Sequence, residues 1–297
     1  DDNPWEINTS SRSSSLGGVE IDKLAIVLSK EDRKNLNLQN QVKIHNSSMY
    51  EDILQYNNIS YRRITDFYIF GNYITSIDFT LLNRKINDIS DTTQLWSDEF
   101  TPPSNSSDIN NNLIEYYNHN DFCFSVFIPF TNSLGKFALD IKSGFSKIGT
   151  YSSKSINLDL NYFYISQSKN ISLGLFLNNL FSYKIWNNDT VERFHPSLSI
   201  LTHYQNHKMQ RLSYFIEIDN FYFDSNYLKE YNIYNNTTVG IEYVLLKSIV
   251  FRSGYNRNYY SMGFGITIFD ILFDYAYLSH QSLGDSNQIT LSFSIFQ

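Results

Sequence analysis

The chain has 297 residues, is rich in aromatic side chains and carries a formal net charge of -7 at pH 7. This balance leaves no large basic surface and argues against nucleic acid as a partner. Its single cysteine, Cys123, excludes an internal disulfide framework and has no metal-ligand spacing around it. No run of 18 apolar residues occurs, so a helical membrane span is excluded, and only a closed β-barrel could cross a bilayer.

The first 40 residues are polar and lack any alternation of apolar and polar side chains. They contain a serine-rich stretch, Ser10 to Ser15, followed by Gly17 and Gly18. The sequence begins at Asp1 without a methionine, as we expect of a mature exported protein. We therefore predict an N-terminal extension over residues 1–40 and a β-domain over residues 41–297.

Alternation with a period of two recurs from residue 41 to the end, which is typical of strands with one apolar and one polar face. The clearest segment places Ile156, Leu158 and Leu160 on one face and Asn157 and Asp159 on the other. Each segment is long enough to cross a bilayer, which needs about 9 to 11 tilted residues. Fourteen strands are predicted, at 41–48, 53–63, 73–83, 121–129, 137–147, 153–166, 170–180, 196–205, 211–221, 236–246, 248–256, 260–269, 270–278 and 287–296.

A long polar segment interrupts the predicted strands at about residues 86–120 and includes Pro102 and Pro103. Such a segment is typical of the long external loops of outer-membrane barrels. The pattern therefore predicts an all-β transmembrane antiparallel barrel in a bacterial outer membrane, in contact with lipid. A soluble all-β sandwich or barrel has the same periodicity and stays open as an alternative. Tyrosines near strand ends would form the interfacial girdles of a membrane barrel: Tyr162, Tyr164, Tyr204, Tyr255, Tyr275 and Tyr277.

Ionisable residues recur on the polar face of the predicted strands, which must face the lumen if the barrel spans a membrane. One interpretation is an ion-paired network that braces the wall, and the other is a surface that binds the N-terminal extension or a solute. Arg252 and Asp274 lie on nearby strands and are predicted to pair. The lumen-facing candidates are Asp78, Asp140, Lys142, Asp159, Glu217, Asp219, Glu242, Arg252 and Asp274.

Enzymatic motifs are absent from the sequence, which contains no nucleophile elbow, phosphate-binding glycine loop or His-Glu-x-x-His motif. His203 and His207 are four residues apart, but in a hairpin they do not share the helical face of a zinc pair. We therefore predict a non-enzymatic protein with no catalytic residue, no metal site and no cofactor.

Ordered motifs in the C-terminal third add a more specific signal. They are Gly240-Ile241-Glu242-Tyr243, Phe251-Arg252-Ser253-Gly254-Tyr255, Gly263-Phe264-Gly265, Asp274-Tyr275-Ala276-Tyr277 and Leu283-Gly284-Asp285. Their order resembles the PorV/PorQ family of outer-membrane barrels, which are related in fold to the FadL fatty acid transporters. The opening Ser11-Arg12-Ser13-Ser14-Ser15-Leu16-Gly17-Gly18 is also similar to that family. Two features depart from it: residues Val19 to Leu38 lack an Asn-Pro-Ala-Gly stretch, and the sequence ends on Phe296-Gln297.

The resemblance implies a fold and two kinds of function. It implies fourteen strands and an N-terminal segment that enters the barrel lumen. A PorV-like protein would be a component or partner of a type IX secretion and surface-attachment assembly, together with other secretion or outer-membrane proteins. A FadL-like protein would instead pass hydrophobic small molecules across the outer membrane.

Overall fold

The structure is a computed structural model, and it describes residues 10–28, 40–50, 52–91, 114–166, 168, 170–206, 211–222, 232–280 and 283–295. Most of these residues belong to strands. Two short α-helices precede the first strand, α1 (Ser11–Ser15) and α2 (Ile21–Leu28). Neither helix within these ranges has the length and apolar character needed to cross a bilayer.

Fourteen strands of the described chain form one closed antiparallel barrel, as predicted. Consecutive barrel strands pair with each other, β6 pairs with β7, and the first strand closes the ring against the last, from Asn40 opposite Ile295 to Met49 opposite Ser286. The two-residue strand β8 (Val191–Glu192) only extends the edge of β7. The barrel strands are β1 (Asn40–Met49), β2 (Leu54–Ile69), β3 (Asn72–Asp91), β4 (Glu115–Asn132), β5 (Gly135–Ile148), β6 (Tyr151–Ile165), β7 (Ile171–Trp186), β9 (Ser197–Gln205), β10 (Leu212–Tyr222), β11 (Thr237–Leu246), β12 (Ile249–Tyr255), β13 (Tyr259–Ile268), β14 (Ile271–His280) and β15 (Gly284–Ile295).

The two faces of each strand differ as the alternation predicted. On β6, Asn157, Asp159 and Asn161 point inward and are almost completely buried, whereas Ile156 and Tyr164 point outward and are half exposed. Outward apolar side chains would be costly in water, but they match the hydrocarbon of a bilayer. The sequence pattern therefore reflects a polar interior and an apolar exterior, the reverse of a soluble core.

Several strands are longer than the sequence predicted. Strand β3 continues to Asp91 and β4 begins at Glu115, so both ends of the segment predicted as a loop, 86–91 and 115–120, belong to strands, which pair with a shift in register between Ile86 and Ile89. Residues 92–113 of that loop lie outside the described part. The alternation does not extend to these outer strand ends because they carry polar side chains on both faces and contain an irregularity in the pairing.

The two ends of the barrel differ in the length of their connections. Residues 92–114, 187–196 and 223–236 connect strands at one end, whereas residues 70–71, 133–134 and 247–248 connect them at the other. Outer-membrane barrels have long extracellular loops and short periplasmic turns. We therefore call the first the outer end and the second the inner end.

Candidate functional site

The segment from Ser10 to Leu28, called the plug below, packs against the barrel strands and forms the candidate site with the wall that faces it. Helix α1 contacts β12, β13, β14 and β15. Ser10 caps this helix, because its side chain accepts a hydrogen bond from the Ser13 amide. Four of the five residues of α1 are serines. Such small side chains allow the helix to approach the wall closely.

Glycines in the barrel wall lie directly against the plug and allow it to pack closely. A Cβ atom built on Gly254 would lie 2.1 Å from the Gly17 amide nitrogen, and one on Gly240 would lie 2.8 Å from the Leu16 carbonyl oxygen. At Gly263, a Cβ atom would lie 2.6 Å from the Ser15 Cβ and 2.3 Å from the Tyr275 carbonyl oxygen of the neighbouring strand. No larger residue fits at these positions while the plug stays in place. Close packing of the plug therefore explains Gly240 and Gly254, whereas Gly263 is also required by the neighbouring strand.

Hydrogen bonds fix the turn that follows α1. The Gly17 amide donates to the Ser261 Oγ at 2.9 Å. The Gly17 carbonyl oxygen accepts from the Asn256 Nδ2 at 2.8 Å and from the Tyr259 hydroxyl at 3.0 Å. Gly17 has a φ of 83°, a conformation that favours glycine. Gly18 follows with a φ of 102°, and its amide donates back to the Ser13 carbonyl oxygen at 3.0 Å, which closes the turn.

A chain of four charged side chains joins the plug to the wall. Arg12 donates from Nη2 to Glu242 Oε1 at 3.1 Å and from Nε to Glu242 Oε2 at 3.2 Å. Arg252 donates to the same carboxylate at 2.8 Å and to Asp274 Oδ1 at 2.5 Å. Two guanidinium groups and two carboxylates balance in charge, which lowers the cost of burying them. The structure thus pairs Arg252 with Asp274 and adds a link from Glu242 to the plug.

Helix α2 has its own ionic contacts. Asp22 accepts from the Lys43 ammonium group at 2.7 Å, and Lys23 lies 3.9 Å from the Asp140 carboxylate. Burial raises the pKa of the Asp22 carboxyl group. The positive charge of Lys43, together with hydrogen bonds from Lys43 and Ser10, lowers that pKa by a larger amount. The pKa of Asp22 therefore lies well below its usual range. Asp22 therefore stays ionised in the docked plug.

Two acidic residues of β10 face the plug near the residues that connect α1 to α2. Glu217 is 1% exposed, and its Oε2 accepts a hydrogen bond from the Glu20 amide at 2.7 Å. Asp219 is partly buried on the same strand face. Glu217 thus holds the plug through a backbone amide. A contact of this kind cannot be read from the pattern of side chains in the sequence.

Other lumen-facing candidates brace the wall itself. Asp78 accepts from Arg62 at 2.5 Å, and Asp159 accepts from Lys142 at 2.5 Å. Asp159 also accepts from the backbone amide of Asn179, at a point where the pairing of β6 with β7 shifts register. The carboxylate therefore satisfies an amide in an irregular stretch of the ladder.

An apolar cluster occupies part of the otherwise polar lumen. It joins four plug residues, each exposed by 2% or less, to inward aromatic and aliphatic residues of the wall. Phe163 and Phe176 meet edge to face in this cluster, with ring centroids 5.9 Å apart. The plug residues are Leu16, Val19, Ile21 and Leu24, and the wall residues are Phe127, Ala138, Phe163, Phe176, Leu201 and Phe215.

No protein-family model matches the sequence, and no curated protein matches it either. Among solved structures, the fold is similar to that of the toluene transporter TodX of Pseudomonas putida, with a TM-score of 0.55 and 8% identity over 94% of this chain and 95% of that one. A deltaS2 mutant of the TodX monoaromatic hydrocarbon channel gives a TM-score of 0.51 and 10% identity over 97% and 99%. The chain therefore has the fold of an outer-membrane β-barrel like that of TodX. At such low identity, the similarity concerns the fold.

The remaining motif residues of the outer-membrane barrel lie on both faces of the wall. Ala276 points inward and is fully buried, whereas Tyr255, on the outward face, is 40% exposed. Tyr275 and Tyr277 alternate with the inward Asp274 and Ala276, and they therefore face outward. Gly284 has a φ of 86° where β15 begins, and the exposed Asp285 follows it.

Sequence reasoning missed a second buried ionic cluster in the barrel. Arg84 donates to Asp121 at 2.5 Å, and His119 and Ser146 also contact this carboxylate. The predicted strands end at residue 83 and begin at residue 121, so they leave Arg84 and His119 outside the pairing that brings them to Asp121. The described residues hold no group of three or more His, Cys, Asp or Glu side chains that could bind a metal ion. His207 lies outside the described residues.

Proposed function

We propose that this barrel passes hydrophobic small molecules across the outer membrane. The observation that carries the proposal is the apolar cluster inside the lumen. A channel for hydrophilic solutes has a polar, water-filled interior. Here, Phe163, Phe176 and Phe215 point into the lumen and are buried in one cluster with the plug's apolar side chains. An apolar solute would gain the same burial when the plug moves aside.

The fold similarity supports the same direction. TodX is described as a toluene transporter and as a monoaromatic hydrocarbon channel. Aromatic rings favour offset or edge-to-face contact with other rings, at centroid separations of about 4.5 to 7 Å. Phe163 and Phe176 already meet in this way. A single-ring hydrocarbon is therefore a suitable probe for the pathway.

Uptake of labelled toluene by cells of a bacterial host that lacks its own hydrocarbon channels tests the proposal. We expect the wild-type barrel to raise the initial uptake rate above that of the empty host. Phe176→Ser should lower it several-fold, because the pathway loses apolar contact worth about 1.5 to 3 kcal/mol. The matched control is Phe251→Ser, because Phe251 is 49% exposed on the outward face. Heat-modified mobility on a gel checks that each variant folds.

Removal of residues 10–28 provides the second arm of this experiment. If the plug covers the pathway, the truncated barrel should take up toluene faster than the wild type. Equal toluene uptake by the empty host, the wild type and the truncated barrel would contradict the proposal. Faster uptake of a labelled sugar than of toluene by the wild type would contradict it as well.

A role as a component or partner of a type IX secretion and surface-attachment assembly is the second candidate function. It rests on the ordered motifs between Gly240 and Asp285 and on the tight fit of the plug against Gly254. A barrel with a closed lumen presents its outer loops and rim to other proteins. The partners proposed under this role are other secretion or outer-membrane proteins.

A further inference from the structure

The outward surface of strands β2 to β6 contains a groove of about 720 Å³. Its apolar walls come from five outward side chains, each 40% to 61% exposed: Ile59, Leu81, Phe122, Phe124 and Phe145. Small-molecule sites in proteins range from about 300 to 1,000 Å³, so the groove is large enough for an acyl chain. It lies on the outside of the wall and is separate from the plugged lumen.

The groove exists because one outward side chain, that of Ser143, is short. Ser143 lies in a row of paired residues, between Phe124 on β4 and Ile156 on β6. Both neighbours carry large outward side chains, whereas Ser143 leaves a depression between them. Gly144 also lines the groove. An outward wall of uniformly large side chains would be convex here and would bind no chain in particular.

Basic side chains border the groove towards the outer end of the barrel. Lys154 lines it directly and is paired in register with Phe145. Lys85 and Lys147 lie two residues beyond Asn83 and Phe145 on the same strand faces, a distance of about 7 Å. No ion pair joins these three lysines to a carboxylate within the ranges that the structure describes. Their charge is therefore available to an anion from outside the protein.

We propose that this groove binds one acyl chain of a phosphate-bearing lipid of the outer leaflet, with the phosphate beside Lys85, Lys147 and Lys154. Three points favour this occupant. The groove lies on a lipid-facing wall, its floor is apolar, and the cluster of positive charge lies on the side where the headgroups of the outer leaflet are found. The binding does not depend on transport through the lumen, and it can hold even if the proposed transport fails.

Retention of lipid by purified protein tests the proposal. The barrel in mild detergent is incubated with a hexa-acylated, bis-phosphorylated glucosamine disaccharide lipid or with its dephosphorylated form, then analysed by native mass spectrometry. We expect the wild type to retain one phosphorylated lipid in preference to the dephosphorylated form. Replacing Lys85, Lys147 and Lys154 by serine should weaken retention at least about tenfold, because each basic residue near an anionic lipid contributes about fivefold.

The matched control removes three positive charges elsewhere: Arg193→Ser, Lys247→Ser and Arg257→Ser, all at exposed positions away from the groove. It should retain the lipid as the wild type does. Equal weakening of lipid retention by both triple variants would show that only the total charge of the protein matters. That result would overturn the proposed site.

A second pair of variants tests the groove itself. Ser143→Trp fills the depression and should reduce retention of both lipid forms, whereas Ser253→Trp, at another exposed position, should not. Heat-modified mobility checks that each variant folds. Unchanged retention in Ser143→Trp, or equal binding of phosphorylated and dephosphorylated lipid by the wild type, would overturn the proposal. A dimer mass in place of bound lipid would assign the groove to a second copy and also overturn it.

Discussion

At the scale of single residues, the glycines of the wall have the clearest structural reason. Gly254 is a position where a side chain and the docked plug exclude each other, because its Cβ would lie 2.1 Å from the Gly17 nitrogen and from the Leu16 carbonyl carbon. The neighbouring Ser253 points the other way and is exposed. A larger side chain at Gly254 would therefore disturb the docked plug, whereas a change of side chain at the adjacent Ser253 would not.

Gly254→Ala is expected to displace the plug while the barrel itself stays folded. Overpacking of a close contact costs about 1 to 3 kcal/mol, which is enough to favour an undocked plug. Hydrogen–deuterium exchange of residues 11–18 should become at least about tenfold faster. Ser253→Ala serves as the control and should leave exchange unchanged. Wild-type exchange rates in Gly254→Ala would show that the close approach at this position is not needed for docking.

At the scale of elements, the plug is held by a few ionic contacts with named partners. Helix α1 depends on Arg12 and Glu242, and helix α2 depends on Asp22 and Lys43. The low pKa of Asp22 means that its contribution to docking is complete above about pH 4, the usual pKa of a free aspartate. The contribution decreases as the pH falls below that value towards the pKa of the docked state.

Asp22→Asn should therefore loosen α2 at neutral pH. A hydrogen bond to a charged group contributes about 1.5 to 3 kcal/mol, and we expect somewhat less because the Asp22 side chain is 28% exposed. The open population should rise about tenfold, and trypsin cleavage after Lys23 should become faster by the same factor. Asp270→Asn, in an exposed turn, is the control. If both variants are cleaved at the wild-type rate, the Asp22–Lys43 contact does not hold the plug.

At the scale of the whole molecule, the fold could be predicted because the alternation and the strand count are properties of the local sequence. The Arg252–Asp274 contact could also be anticipated, because both residues lie in short hairpins whose register follows from the turns. The contact between Arg12 and Glu242 joins residues 230 positions apart, and no local pattern encodes it. The groove depends on Ser143 lying between residues of two other strands, so only the register reveals it.

Association with secretion proteins is also a property of the whole molecule. If the second candidate function is right, the barrel extracted gently from native membranes should elute with outer-membrane or secretion proteins, in a complex well above its own 34.8 kDa plus detergent. Size-exclusion chromatography with mass spectrometry measures this, and an unrelated barrel from the same membranes is the control. Elution of the barrel alone, at the position of the control, would favour a free-standing channel.

The closure of the barrel has a consequence for its biogenesis. Ser11 bonds to Thr290, and β1 pairs with β15, so the beginning of the described chain is bound to its last strand. Neither contact can form until the last strand has reached the membrane, and contacts between such distant residues form slowly. Complete docking of the plug and closure of the ring between the first and last strands therefore depend on the same element, and we expect the two to occur together.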